Sequence, residues 1–546
     1  MTRQLRLQAL CAIAAIAAAF AQRPGLDHIR INNLRADLTF LASDALEGRR
    51  SLQRGSEVAI QFLAAEFSKA GLEPVAGDPA SNYSSYLQPV PLIEYRVDTS
   101  QTALALEHGA SRRDLKYGVD FFGGSAFEAT VQGPIAFAGY GITAPEFGYD
   151  DYASLDARGK IVLIFDHEPQ ENDARSIFNG KGSTRYSSAL VKVLNAKKHG
   201  AIGVLFAAEP NRKHPSPQER TARIPGSEQR ARRLPPQTSA ESEARLPTLS
   251  VSDGLATELL SATGQKAAEL QARIDDTLKP ASMLLPDTRV EMRIVIAEQR
   301  RGTSYNVLGL VEGSDAALKR ETIVFSAHYD HEGVWDGNIY HGADDNGSGT
   351  VGVLELARAF AASPQKPKRS LLFVIFAAEE RGLLGSYYYV AHPLRPLETT
   401  RAVINFDMIG RNETPSRQTE GLIDIAPDTS NELNLIGTIN TPDYRAAVER
   451  ANEYVGLRLN DKWDRDAALN IFQRSDQFPF ALHDIPAIWW FTGFHPDYHQ
   501  TADTVEKINF TKMEKILRLA YLTGWDFANA ARPPRFVARP AMGAAR

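Results

Sequence analysis

The run Ser370-Leu371-Leu372-Phe373-Val374-Ile375-Phe376-Ala377-Ala378-Glu379-Glu380 decides the architecture of this 546-residue chain. It is a strand-length apolar stretch without polar alternation, the pattern of a strand covered on both faces, and it ends on two adjacent carboxylates. Reading outward, helical spacing precedes it at 349–362 and follows it at 383–391, while further apolar runs lie at 322–327, 402–406 and 487–491. Strands alternating with helices predict an α/β fold, a mostly parallel mixed sheet flanked by helices.

Open sheets of this kind bind ligands beyond the carboxyl ends of their strands. His328 follows Ile323-Val324-Phe325-Ser326-Ala327, Asp407 follows Val403-Ile404-Asn405-Phe406, and His499 comes shortly after Phe491. Four apolar runs thus deliver imidazole and carboxylate donors to one rim. Zinc accepts both donor types at ~2.0–2.2 Å, and two ions ~3.5–4 Å apart can share a carboxylate. Asp345, in Gly342-Ala343-Asp344-Asp345-Asn346-Gly347-Ser348-Gly349, suits the shared position because its small neighbours let the backbone turn tightly at a helix start. Helix capping is the plainer reading of Asp344 and Asp345, and the two roles can coexist. His328, Asp345, Glu380, Asp407 and His499, with a spare acid at Glu379, make the set that a two-zinc hydrolase needs.

A chain this long exceeds one core, and 43% hydrophobic residues exclude disorder. With 61 basic against 66 acidic residues the net charge is −5, so no uniform field favours nucleic acid or an anionic membrane. Arg3 and Arg6, the apolar segment 7–20 and the small residues around Ala19 and Ala21 read as a signal peptide over residues 1–21, with the mature chain starting at Gln22. The apolar segment is shorter than the ~20 residues of a membrane span. The expectation is therefore an exported protein, periplasmic or extracellular, without stable membrane insertion after leader removal. The single cysteine, Cys11, falls inside the leader, which leaves the mature chain without disulfides or thiol chemistry.

Residues 27–72 show apolar stripes for two helices, with Gly71 as a stop. Beyond Ala76 the pattern changes to strands at 134–140, 160–165 and 201–206 around a helix at 187–198. Residues 210–245, rich in Pro, Arg, Ser and Gln, read as a long solvated surface excursion.

The stretches Ala327-His328-Tyr329-Asp330, Gly342-Ala343-Asp344-Asp345-Asn346, Ala378-Glu379-Glu380-Arg381-Gly382, Asn405-Phe406-Asp407-Met408 and Tyr498-His499-Gln500-Thr501-Ala502-Asp503-Thr504 resemble the co-catalytic di-zinc exopeptidases, which include bacterial leucyl-type aminopeptidases. The resemblance also covers Leu46-Glu47-Gly48-Arg49. It implies two zinc ions per chain, one held by His328 and Asp407, the other by Glu380 and His499, with Asp345 bridging. It further implies Glu379 as general base, a metal-bridging hydroxide as nucleophile and peptides as substrates. Asp330 would orient His328, since a carboxylate behind a ligand imidazole fixes its tautomer. The segment 127–286 resembles the protease-associated domain inserted in many members, chiefly through Gly159-Lys160-Ile161-Val162-Leu163. The organisation implied is a signal peptide at 1–21, an N-terminal part of the peptidase domain at 22–126, the inserted β-rich α+β domain at 127–286, the metallopeptidase domain at 287–532 and a disordered tail at 533–546.

One departure concerns the oxyanion. Members often place a tyrosine a few residues before a Ser-Asp pair, whereas Ser475-Asp476 follows Phe472, Gln473 and Arg474, and Phe472 has no hydrogen to donate. Arg474 and Ser475 are expected substrate contacts, as are Trp490 and Phe494 in an apolar pocket near His499, although alternate residues of that strand also suit a core. A carboxypeptidase or a glutaminyl cyclase-like enzyme on the same fold is the alternative to an aminopeptidase. A non-catalytic receptor-like binding protein is a further one, at odds with an intact ligand set.

Overall fold

A computed structural model describes residues 25–76, 85–173, 175–178, 180, 183–227, 229, 234–465, 469 and 471–538. The expected signal peptide lies outside the described residues, and so do residues 539–546 of the expected tail. The chain forms two compact units. One joins the described residues up to Val90 with Ser304–Asp461 and Ser475–Val537, and the other comprises Pro91–Thr303 with Lys462–Arg474.

In the first unit, the part of strand Ile296–Val311 from Ser304 onward and strands Ser370–Phe376, Thr322–His328, Thr400–Phe406, Ala487–Phe491, Glu432–Ile436 and Arg458–Asn460 lie side by side in that order. The four from Ser370–Phe376 to Ala487–Phe491 are mutually parallel. Antiparallel partners flank them, Val307–Val311 on one side and Asn434–Ile436 on the other. Every residue of Thr322–His328 and Ser370–Phe376 is buried, as continuous apolar runs require. On one face Val324, Val374 and Phe376 pack with Tyr389, Val390 and Phe480. On the other, Phe325 stacks on Phe373 and meets Phe360 of helix Gly349–Ala361. Each such side chain contributes about 1.5–3 kcal/mol relative to exposure.

The two expected N-terminal helices are Ile31–Leu41 and Arg54–Lys69. They are tied to the sheet layer by a buried charge. Glu355 accepts from the Arg30 amide at 2.6 Å and from Asn33 Nδ2 at 3.1 Å, and Arg358 Nη1 donates to it at 3.2 Å. Between these helices, the fully buried Arg49 donates to four backbone carbonyls: Tyr329 at 2.7 Å, Leu41 at 2.6 Å, His341 at 2.7 Å and Gly342 at 2.8 Å. Burial pushes its guanidinium down to about 10. Gly48 beside it has φ +65°, and a Cβ there would stand 2.3 Å from the Tyr340 carbonyl oxygen, so this turn demands glycine.

The second unit is built on the sheet Ser111–Asp114, Ala103–His108, Met283–Ile294, Ala129–Phe137, Ile161–Phe165, Gly203–Ala207, Thr248–Val251, Phe121–Phe122, in that order. Helices Ala189–Lys198, Asp253–Ser261 and Ala267–Thr277 accompany it. Its own core includes Phe137, Phe165, Leu205, Leu259 and Met292. Residues 127–286 therefore share this unit with 91–126, 287–303 and 462–474. The 210–245 excursion is more structured than its composition suggests: Ser216 closes a capping box on helix Pro217–Ala222, Gln237–Ser239 pairs with Leu92–Glu94, and His214 is buried. The reason is hydrogen bonding, local at the cap and long-range at the strand, which needs no apolar period.

Among the described residues no helix is long and apolar enough to cross a membrane. Of the 533–546 tail, Val537 exchanges two hydrogen bonds with Asn440, at 2.8 and 3.0 Å.

Replacing Arg49 by Met should leave four buried carbonyls short of a donor and cost about 2–4 kcal/mol. The urea midpoint should fall accordingly, and an unchanged midpoint would show that these carbonyls find other partners.

Candidate metal centre

Four neighbouring parallel strands carry the site, because each ends in a loop that turns a polar side chain back over the sheet. His328 is the last residue of Thr322–His328, and Asp407 immediately follows Thr400–Phe406. Glu379 and Glu380 open a single turn, Glu379–Arg381, entered through Ala378 at φ +53°. His499 sits on the loop after Ala487–Phe491 with φ +54°. Such left-handed backbone in residues other than glycine persists only where the surroundings impose it.

The six side chains expected from the sequence converge. Asp345 stands between two groups: Oδ1 is 3.6 Å from His328 Nε2, and Oδ2 is 3.0 Å from His499 Nε2. Around His328, Asp407 Oδ1 lies at 3.5 Å and Glu379 Oε2 at 3.7 Å. Around His499, Glu380 Oε2 lies at 3.2 Å. The adjacent glutamates face different groups because the turn rotates one against the other.

Asp330 accepts the Glu379 amide at 2.9 Å through Oδ1. Its contact to His328 is mainly through the backbone, the Asp330 carbonyl being 3.1 Å from Nδ1 and the carboxylate 3.7 Å. Ser475 is buried, donating to Asp407 Oδ2 at 2.7 Å and accepting from Asn405 Nδ2 at 2.8 Å, so its hydroxyl backs a carboxylate instead of facing an opening. Trp490 is fully buried with Nε1 3.4 Å from Tyr444 Oη, and Phe494 packs between Phe491 and Tyr498. Arg474 belongs to the second unit, where the neighbouring Gln473 amide donates to Ser187 Oγ.

Three groups at the site escape the sequence reading. His331 Nδ1 is 2.9 Å from Glu380 Oε1 and 3.9 Å from Asp345 Oδ2. Glu332 places Oε1 3.2 Å from His499 Nδ1 while Arg381 Nη2 donates to its Oε2 at 2.6 Å. Asp503 accepts the amides of Asp344 and Asp345 at 3.0–3.1 Å, which fixes the loop bearing Asp345. Their only sequence signal is nearness to His328 and His499.

The electrostatics are those of a place built for cations. Burial pushes Glu379 well above the usual carboxylate range, with Asp407 and Glu380 reinforcing and His328 opposing. Burial would also raise Glu380, but His499 and His331 hold it well below that range. Burial would lower His499, yet the Glu380 carboxylate holds it well above an ordinary imidazole. A proton on each imidazole and a metal ion compete for the same position in such a field. The orientation of His328 decides what fits: a carbonyl can only accept, so Nδ1 carries the hydrogen, and the buried Nε2 lacks a hydrogen-bond partner among the described residues while aimed at three carboxylates. A lone pair there calls for a cation. His331, Asp345, Glu380 and His499 form one group with ligand atoms within 4.8 Å of one another, and His328, Asp345 and Asp407 form another. These nitrogen and oxygen donors fit zinc.

Residues 306–523 match the model of Peptidase family M28, and residues 131–259 match that of the PA domain. The chain is 27% identical over 296 residues to the probable lipoprotein aminopeptidase LpqL of Mycobacterium tuberculosis, covering 50% of each chain. It is 40% identical over 111 residues to aminopeptidase YwaD of Bacillus subtilis, covering 20% of this chain and 22% of that one. It spans about half the length, or less, of the first curated relatives it matches. An aminopeptidase structure from Aneurinibacillus sp. strain AM-1 aligns over 94% of this chain and 97% of its own, at 19% identity and a TM-score of 0.48. The M28 match spans the loops that bring His328, Asp345, Glu380, Asp407 and His499 together, and the PA match falls within the second unit, so the likeness to peptidase family M28 covers the site and the likeness to the PA domain covers the unit beside it in sequence.

Proposed function

We propose that this chain is an exported aminopeptidase that releases N-terminal residues from peptides at a pair of zinc ions, with Glu379 as general base. The observation that carries the reading is the divided carboxylate of Asp345, whose two oxygens face separate donor groups. His328 and Asp407 would hold one ion, Glu380 and His499 the other, and Asp345 would serve both. Bound zinc supplies Lewis-acid chemistry, polarising a peptide carbonyl and acidifying water.

The protein's own groups do the rest. Glu379 Oε2 stands 3.7 Å from His328 Nε2, its backbone fixed by Asp330, where it can take the proton of the attacking water and return it to the leaving amine. Burial raises its proton affinity above that of an ordinary carboxylate. Ser475 holds Asp407, Glu332 holds His499 and His331 holds Glu380, each fixing one donor from behind. The names of the relatives, aminopeptidases of bacteria, support action at the amino terminus. The basic and apolar start of the sequence supports export.

Glu379→Gln should keep its zinc while losing turnover by roughly the 10²–10⁴-fold of a general base; a fully active variant would refute the assignment. Glu332→Ala should weaken zinc binding about 10- to 100-fold by freeing the His499 ring, measured by chelator competition. On a panel of free, N-blocked and C-blocked peptides, only those with a free amino terminus should be cut. Cleavage of N-blocked substrates would exclude an aminopeptidase.

A further inference from the structure

A second set of imidazoles and carboxylates lies wholly within the PA-domain unit. Strands Ile161–Phe165 and Gly203–Ala207 are parallel neighbours whose last pair is Phe165 and Ala207. His167 and Glu209 each stand two residues beyond that pair, and the two loops then supply Glu171 and His214. All four are buried, and their ligand atoms lie within 4.8 Å of one another.

We propose that His167, Glu171, Glu209 and His214 form a further metal site, taking one zinc ion that clasps the start of the 210–245 excursion to the neighbouring strand end. Glu171 Oε2 is 2.9 Å from His167 Nδ1 and 3.1 Å from His214 Nε2. Glu209 Oε1 is 3.0 Å from His214 Nε2 and 3.4 Å from His167 Nδ1. Each oxygen thus touches both nitrogens, and the four atoms enclose a common centre. Zinc ligands at ~2.0–2.2 Å in a tetrahedron stand roughly 3.3–3.6 Å apart, so seating an ion needs these contacts to open by only about half an ångström. The corresponding contacts in the peptidase centre, 3.0–3.6 Å, span a similar range.

Tautomers strengthen the case. His214 Nδ1 is 2.9 Å from the Pro215 carbonyl, which can only accept, so Nδ1 bears the hydrogen. Its Nε2 therefore aims at two carboxylates and must carry either a second proton or a metal ion. This repeats the arrangement of His328, and a carbonyl behind a ligand imidazole is the usual support. His167 presents Nδ1 to the same two carboxylates, while its buried Nε2 has no hydrogen-bond partner among the described residues. The rings stack 4.1 Å apart at 11°. His167 at φ +50° and Gln170 at φ +60° are in left-handed backbone, a strain that needs an organising cause. Two carboxylates balance one divalent cation, so the loaded site is neutral. Lys192 beside the site donates to the Phe165 and His167 carbonyls and so fixes the loop that carries His167.

The test compares the zinc content of the purified full-length protein with that of a His167→Ala/His214→Ala variant, both saturated with Zn²⁺ and freed of excess. The variant should hold one equivalent less, whatever number the peptidase centre holds. Crystals of the unaltered protein, measured at the zinc absorption edge, should show an anomalous peak enclosed by the four side chains. Equal zinc content in the two proteins, or no such peak at saturating zinc, would overturn the proposal. If the variant does not fold, the anomalous map of the unaltered protein decides it alone.

Discussion

Carboxylates withdrawn from water dominate this molecule. Asp330, Glu379 and Asp407 just past the ends of neighbouring strands, and Asp345 and Asp476 at helix starts, are all nearly or fully buried, and the Glu380 side chain is only 6% exposed. Isolated, each would lose several kcal/mol of hydration, so their presence requires compensating charge. Hydrogen bonds answer part of this: Ser386 donates to Asp476, Ser475 to Asp407, and the Glu379 amide to Asp330. Asp476 still lies at about 7, raised chiefly by burial. The remaining demand falls on the three imidazoles and on whatever cation joins them. Structure and chemistry are therefore linked at one place, because the features that make the rim costly to fold also make it bind metal.

Rigidity follows from the same arrangement. A parallel sheet buried on both faces fixes where each strand stops, and short loops with left-handed residues then set which way a side chain leaves. Glu379 and Glu380 are adjacent in sequence yet face different groups only because Ala378 and the following turn rotate one against the other. Gly342 plays a comparable part before Asp345: at φ +57°, a Cβ would lie 2.2 Å from the Asp345 carbonyl oxygen.

Much of this was legible in the amino-acid order. The central strands and the helix at 349–361 announce themselves because a doubly covered sheet leaves uninterrupted apolar runs. His328, Asp345, Glu379, Glu380, Asp407 and His499 stand out because polar donors directly after such runs have few reasons to be there. His331, Glu332 and Asp503 were not legible, since what each touches depends on how separate loops fold toward one another. Ser475 could be noticed but not aimed: the pairing with Asp407 spans 68 residues. In the second unit the 210–245 excursion looked solvated by composition, and nothing in its sequence reveals that His214 is drawn back beside Glu171.

Arg49 carries an implication for biosynthesis. Its hydrogen bonds reach the Tyr329 carbonyl 280 residues downstream and Gly342 at 293. At roughly 5–20 residues per second, the amino-terminal helices would leave the ribosome about 15–60 s before the segment they must grip has been made. The PA unit, local in sequence between Pro91 and Thr303 apart from one short later segment, can be nearly complete by then, so the part of the chain translated in the middle is free to mature before the part that surrounds it.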